Sequence, residues 1–93
     1  MLFHLDGREA VSRAALHELL ARGLNLPAHY GRNLDALWDC TCALREPVTI
    51  EIVHVDALKA ALGDYAGSFL ETLDDLTRAR DGFEVRLNPL VCG

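Results

Sequence analysis

The chain has 93 residues, enough for one domain with a single modest core and no need of metal or disulfide staples. About half of the residues are hydrophobic (51%), the proportion of a folded globule and not of a disordered tail. Fourteen acidic against nine basic residues leave a formal charge of −5, which argues against a bare nucleic-acid binder, because such proteins need basic stripes to neutralise phosphate, and points to a basic partner surface.

No apolar run approaches the roughly 20 residues needed to cross a membrane. The first residues also lack a charged segment followed by an apolar one and a cleavage site. A cytoplasmic protein without membrane contact is therefore expected. An odd number of cysteines fits that compartment: Cys40 and Cys42 lie two apart on a predicted helix and point away from each other, and Cys92 is in the tail, so buried or idle thiols are expected.

Met1 to Leu5 is a short apolar run ending at the turn signal Asp6-Gly7, which predicts a first strand packed inside a sheet. Ser12 is placed to cap a helix in which Leu16, Leu19, Leu20 and Gly23 recur at i, i+3, i+4 and i+7, and which stops near Gly23. Within it, His17-Glu18 begins like the H-E-x-x-H of a zinc protease, but Ala21 stands where the second histidine is needed. A metal role fails there.

The stretch from Asn25 to Leu44 is less ordinary. It reads as a loop stiffened by Pro27 and loosened by Gly31, running into a helix with Asn33 as N-cap. At about 100° per residue, Leu34, Leu37, Trp38, Thr41 and Leu44 share one arc, while Asp35 and Asp39 stand together roughly 140° from its centre. The helix dipole favours Asp35 in the first turn, but Asp39 lies a turn further in, where that benefit has faded. Like charges four apart cost a helix roughly 0.2–0.5 kcal/mol, and aspartate is a poor helix former besides. A solvated face is the plain explanation of such a pair. Against it, no Lys or Arg stands three or four positions from Asp39, and the adjoining loop offers the rings of His29 and Tyr30.

Glu46-Pro47 breaks the helical pattern, and the nearly continuous β-branched run Val48 to Val55 predicts a strand covered on both faces. Glu51 interrupts it, at an exposed strand end or paired to a neighbour. Asp56 is placed to cap a short helix, Ala57 to Leu62, closed by Gly63. Ser68-Phe69-Leu70-Glu71 has capping-box spacing and starts a longer helix with Phe69, Leu70, Leu73 and Leu76 on its apolar face. That helix ends before Gly82. Its outer face carries Glu71, Asp74 and Asp75, with Arg78 and Arg80 in the final turns, where the dipole favours cations. Phe83 to Leu87 alternates apolar and polar as a strand with one exposed face does, and Pro89 to Gly93 reads as a frayed end.

The order β-α-α-β-α-α-β, without repeat or linker, predicts a small three-layer-like α/β single domain over residues 1–93. Its three-stranded parallel sheet would have right-handed crossovers and flanking helices. No nucleophile with a base, metal-ligand set or phosphate loop occurs at a recognisable spacing, and His4, His17, His29 and His54 are scattered over different elements. Paired carboxylates can do acid–base work, but Asp35 and Asp39 on an open helix face have no predicted cleft to shift a pKa. The expectation is a protein that is not an enzyme and needs no cofactor or metal.

Tyr30-Gly31-Arg32-Asn33-Leu34-Asp35-Ala36-Leu37-Trp38-Asp39-Cys40 closely resembles the Y-G-x-N-L-D-A-L-W-D-C segment of the barstar family, intracellular inhibitors of bacterial ribonuclease, and matches it at every fixed position. The resemblance implies the α/β fold already read from the pattern and a basic secreted or toxin-type ribonuclease as partner, with no direct contact to nucleic acid. It carries over Asp35 and Asp39 as the main contacts to the enzyme's basic groups, with Trp38, Gly31 and Asn33 supporting the surface. His29 stands where the family has a stacking tyrosine, Leu44 where it has a second tryptophan, and Arg32 where it has an acid. Asp75, or Asp74 if the alignment slips by one, corresponds to a later contacting glutamate. The alternative is an interaction module of the same fold that inhibits no ribonuclease.

Overall fold

In a computed structural model, residues 1–88 are described, and the expected frayed end at Pro89 to Gly93 lies outside them. The element order is β1 (Leu2–Asp6), α1 (Arg13–Gly23), α2 (Leu34–Ala43), β2 (Val48–Val53), α3 (Val55–Leu62), α4 (Asp64–Ala79) and β3 (Phe83–Asn88). The strands form one sheet in the order β1-β2-β3, and both pairings are parallel. Parallel neighbours need long crossovers, here supplied by α1-α2 and by α3-α4. The α/β class, the order of elements and the three-stranded parallel sheet are as the sequence predicts.

The two faces of the sheet differ in character. Register places Phe3, Ile50 and Val85 in one row and Leu5, Ile52 and Leu87 in the next, all on one face of the sheet. Successive strand residues alternate faces, so His4, Glu51 and Arg86 form a row on the opposite side. There His4 Nδ1 lies 2.8 Å from the Glu51 carboxylate, the neighbour that the lone acid of β2 was expected to find. Val48, Ile50 and Ile52 are fully buried, while Thr49, Glu51 and Val53 are half-buried. Among the described residues, β2 is thus packed on one face and polar-rowed on the other, in place of a strand covered on both sides. β1 is an edge strand with Leu2 exposed, not one packed inside the sheet: a short apolar run does not say where in the strand order it will lie.

The core joins Leu5, Ile50 and Ile52 of the sheet to Leu16 and Leu20 of α1, Leu37 of α2, Leu58 of α3, and Phe69, Leu73 and Leu76 of α4. Ser12 caps α1 as expected, its Oγ accepting from the Ala15 amide at 3.1 Å. Gly23 ends that helix for a packing reason. A Cβ there would sit 2.2 Å from the Phe3 ring, and the left-handed residue that turns the chain is Asn25, with φ of 53°.

Two boundaries differ from expectation. β2 stops at Val53 because His54 adopts a left-handed conformation, φ 54° and ψ 47°, and precedes α3 directly. Asp56 therefore sits inside the first turn of α3 instead of capping it. Ser68 is no cap either, for α4 begins at Asp64, straight after Gly63. Gly63, with φ of 58° and ψ of −132°, takes a backbone conformation open to glycine and turns the chain from α3 into α4 in one residue. Ala66 is already fully buried, so the apolar face of α4 starts before Ser68.

Candidate functional site: the acidic face of the second helix

Asn33 caps α2 as the sequence predicts. Its Oδ1 accepts from the Ala36 amide at 2.7 Å and its Nδ2 donates to the Gly31 carbonyl at 3.3 Å, tying loop and helix at one residue. At Gly31 an added Cβ would press to 3.2 Å from the Ala36 methyl and 3.5 Å from Asn33 Nδ2, so a side chain there would crowd the cap. Arg32, between them, has a φ of 55° and directs its guanidinium to Glu18 of α1, which also faces Arg22 at 3.6 Å. The Arg32 guanidinium holds the Glu18 carboxyl below the usual carboxylate range.

The apolar arc of α2 packs as expected: Leu37 and Thr41 are fully buried, and Leu34, Trp38 and Leu44 are half-buried against the core. Asp35 and Asp39 are exposed, and neither has an ion-pair partner among the described residues. No basic residue stands in the last turn of α2. Beside Asp39 the surface dips into a concavity of about 360 Å³ lined by Pro27, His29, Asp39, Cys40, Ala43 and Leu44. Loop and helix thus bring His29, Asp39 and Leu44 together, far more closely than their spacing in sequence suggests. Cys40 is half-buried in that wall and Cys42 is exposed; both are free thiols.

The far end of α2 is anchored by a residue that sequence reading placed only as a helix-end cation. Arg80, after α4, donates from Nε and Nη2 to the Leu44 carbonyl at 3.1 and 2.6 Å, and from Nη2 to the Glu46 carbonyl. One guanidinium thereby satisfies two carbonyls of the α2-β2 connection and fixes Leu44 beside the concavity.

Tyr30 departs from expectation. Where His29 is exposed, the Tyr30 side chain turns inward and is only 6% exposed. Its hydroxyl meets His17 Nδ1 at 2.5 Å, and His17 Nε2 meets the Tyr65 hydroxyl of α4 at 2.6 Å. His17 is itself buried. Burial, with the Arg32 cation adding to it, pushes the imidazole pKa down, and burial pushes both tyrosine hydroxyls up, so the three groups are neutral at ordinary pH. The signal was present in the sequence, since His17 follows Leu16 and precedes Leu20 by three, on the face of α1 that had to be buried.

On α4, Asp74 and Asp75 are both exposed and both reach Arg78, Asp74 in close contact and Asp75 at 3.4 Å. Geometry separates them. Asp74 lines a groove against β3 together with Leu70 and Thr77. At about 100° per residue, Asp75 falls on the other flank, with Thr72 and Tyr65, the flank that reaches α1.

Among the described residues, no group of three or more His, Cys, Asp or Glu is placed to hold a metal ion. Nor is any helix long and apolar enough to cross a membrane.

A family model described as "Barstar (barnase inhibitor)" matches residues 1–89 of this chain. A Bacillus subtilis (strain 168) protein named "Putative ribonuclease inhibitor YrdF" is 35% identical over 83 residues, spanning 87% of this chain and 91% of that protein.

Proposed function

Because the chain belongs to the barstar family, we propose that it inhibits a small basic ribonuclease by seating the acidic face of α2 in the enzyme's active site. The observation that carries this is the exposed, uncompensated pair Asp35 and Asp39 on a helix fixed at both ends, by the Asn33 cap and by the Arg80 clamp on Leu44. A ribonuclease site gathers cations to receive an RNA phosphate, and carboxylates held at fixed spacing can take the phosphate's place through charge-assisted hydrogen bonds. Since the helix is shaped before contact, little further ordering is needed on binding.

Each residue then has a part. Asp35 and Asp39 receive the enzyme's cations. His29 and Leu44 line the concavity beside Asp39, which accepts a side chain protruding from the enzyme, and Trp38 backs the helix from the core side. Gly31 and Asn33 shape the loop and cap, while Tyr30 contributes from inside. Asp75, on the flank of α4 away from the β3 groove, provides a second acidic contact in preference to Asp74.

The test is a titration of RNA cleavage by a panel of small basic ribonucleases, including any encoded beside this gene. Stoichiometric inhibition of one member is expected. Inhibition of none would leave the interaction-module alternative, and a pull-down of basic nucleases would then read which protein the acidic face holds. Failure against barnase alone decides nothing, because His29, Arg32 and Leu44 change the chemistry of the contact.

A further inference from the structure

The loop between α1 and α2 carries the contact residue His29 and leads into the cap of α2, yet few backbone hydrogen bonds hold it. The Leu26 amide donates to Ala21 at its start, and the Tyr30 amide donates to the Pro27 carbonyl at 3.0 Å within it. Two side chains tie its distal half to the body of the protein, Arg32 at the exposed Glu18 carboxylate and Tyr30 at the buried His17 imidazole, and Tyr30 makes the buried tie. That tie does not end at His17, because the imidazole is gripped from its far side by Tyr65, at the start of α4.

We propose that Tyr65 and His17 are positioning residues for the contact surface: the hydrogen-bonded chain Tyr65–His17–Tyr30 sets the shape of the loop that presents His29 and the α2 cap. The binding part of this proposal rests on the ribonuclease-inhibitor reading. A neutral imidazole has one N–H and one lone pair. With a tyrosine on each nitrogen, one hydroxyl donates and the other accepts, so the two ends of the chain are coupled through a single tautomer. Tyr65 is itself oriented, its ring lying 4.4 Å under the Arg13 guanidinium and edge-on to the His17 ring. The charged or titratable groups facing the chain are Arg32 toward His17 and Tyr30, Cys40 toward Tyr30 and Arg13 toward Tyr65, and among the described residues both imidazole nitrogens meet tyrosine hydroxyls and no carboxylate. Tyr65 stands ten residues before Asp75, roughly 15 Å along α4, and does not line the concavity. It acts on the surface only through His17 and Tyr30.

Tyr65→Phe removes the hydroxyl and keeps the ring under Arg13. In the free protein the Tyr30 amide should exchange with solvent roughly three- to tenfold faster, the factor that one net hydrogen bond is worth. Long-range proton–nitrogen spectra should show His17 passing from a single neutral tautomer to a mixture. In complex with the ribonuclease identified by titration, dissociation should quicken by a similar factor while association holds. The effect should vanish in a Tyr30→Phe background, where the chain is already cut.

A merely structural Tyr65 would lower unfolding stability and leave dissociation unmoved, which overturns the proposal. So do an unchanged Tyr30 amide and additivity with Tyr30→Phe. Should Tyr65→Phe fail to fold, Tyr30→Phe alone is read in the same three ways. If no ribonuclease is inhibited, the proposed function fails on its own titration, and the exchange and imidazole measurements still decide whether the chain holds the loop.

Discussion

Two helices of this protein carry paired acids, and the structure treats the pairs differently. On α4, Asp74 and Asp75 share Arg78, placed four and three residues on, in the last turn where the dipole also favours a cation. On α2, Asp35 and Asp39 share nothing: the positions three and four beyond Asp39 are Cys42 and Ala43, and the nearby Arg32 is drawn off to Glu18 of α1. An arrangement that served only the free fold would resemble the one on α4. Leaving two carboxylates bare and side by side has a small cost to the helix, and under the proposed function its use lies in a partner that supplies the cations.

The comparison can be broken most severely by emptying the bare pair. Asp35→Ala with Asp39→Ala should weaken inhibition by more than about 3 kcal/mol, since in the proposed complex each carboxylate meets cations in a site closed to water. An inhibition constant moved by less than tenfold would remove α2 from the contact. The next largest effect comes from making α2 resemble α4. Ala43→Arg puts a cation four residues after Asp39, as Arg78 stands after Asp74. It should stabilise the free protein by roughly 0.3–0.5 kcal/mol and weaken inhibition by about 1 kcal/mol, and tighter inhibition would contradict the account.

Acid reaches the buried side of the loop before it reaches the ion pairs. The His17 pKa is depressed in the fold by burial, so the unfolded chain takes up the proton first. Stability is therefore complete above about pH 6.5 and falls as pH drops below it, by at most about 1.4 kcal/mol per unit. Asp6 and Glu18, whose carboxyls are held down by Arg8 and Arg32, act only below about pH 4. Denaturant unfolding at pH 7.5, 6.5 and 5.5 checks this, and a flat profile would mean that His17 is not shielded. The smallest effect is expected at Asp75. Because Arg78 already compensates it, Asp75→Asn should cost inhibition no more than about 0.5 kcal/mol, and a loss equal to that of Asp39 would show that compensation is not what separates the two pairs.

Much of this was legible in the sequence. Ser12 and Asn33 announce their helices by side-chain chemistry, and the exposure of Asp35 and Asp39 follows from the arc of Leu34, Leu37, Trp38, Thr41 and Leu44. The inward turn of Tyr30 was not legible, because in a loop no periodicity says which of two adjacent rings, His29 or Tyr30, faces the core. That choice depends on a hydrogen-bond partner contributed by α1 and on a turn closed by the Pro27 carbonyl. The start of α4 was hidden for a related reason: Ser68 has the spacing of a cap, but Gly63 lets the chain turn in one residue, so no loop separates α3 from α4. Arg80 reads as a helix-end cation, and its grip on Leu44 and Glu46 exists only once the connection after α2 has come back across α4.

The most direct test of the claim that α2 keeps its acids bare for a partner is Asp39→Ala read twice, by denaturant unfolding of the free protein and by titration of ribonuclease inhibition. Asp39 repels Asp35 one turn away and has no ion-pair partner among the described residues, so the variant should be as stable as the parent or more stable by a few tenths of a kcal/mol. Its inhibition should weaken by about 2 kcal/mol or more. A stability loss above about 1 kcal/mol, or inhibition unchanged, would contradict the account.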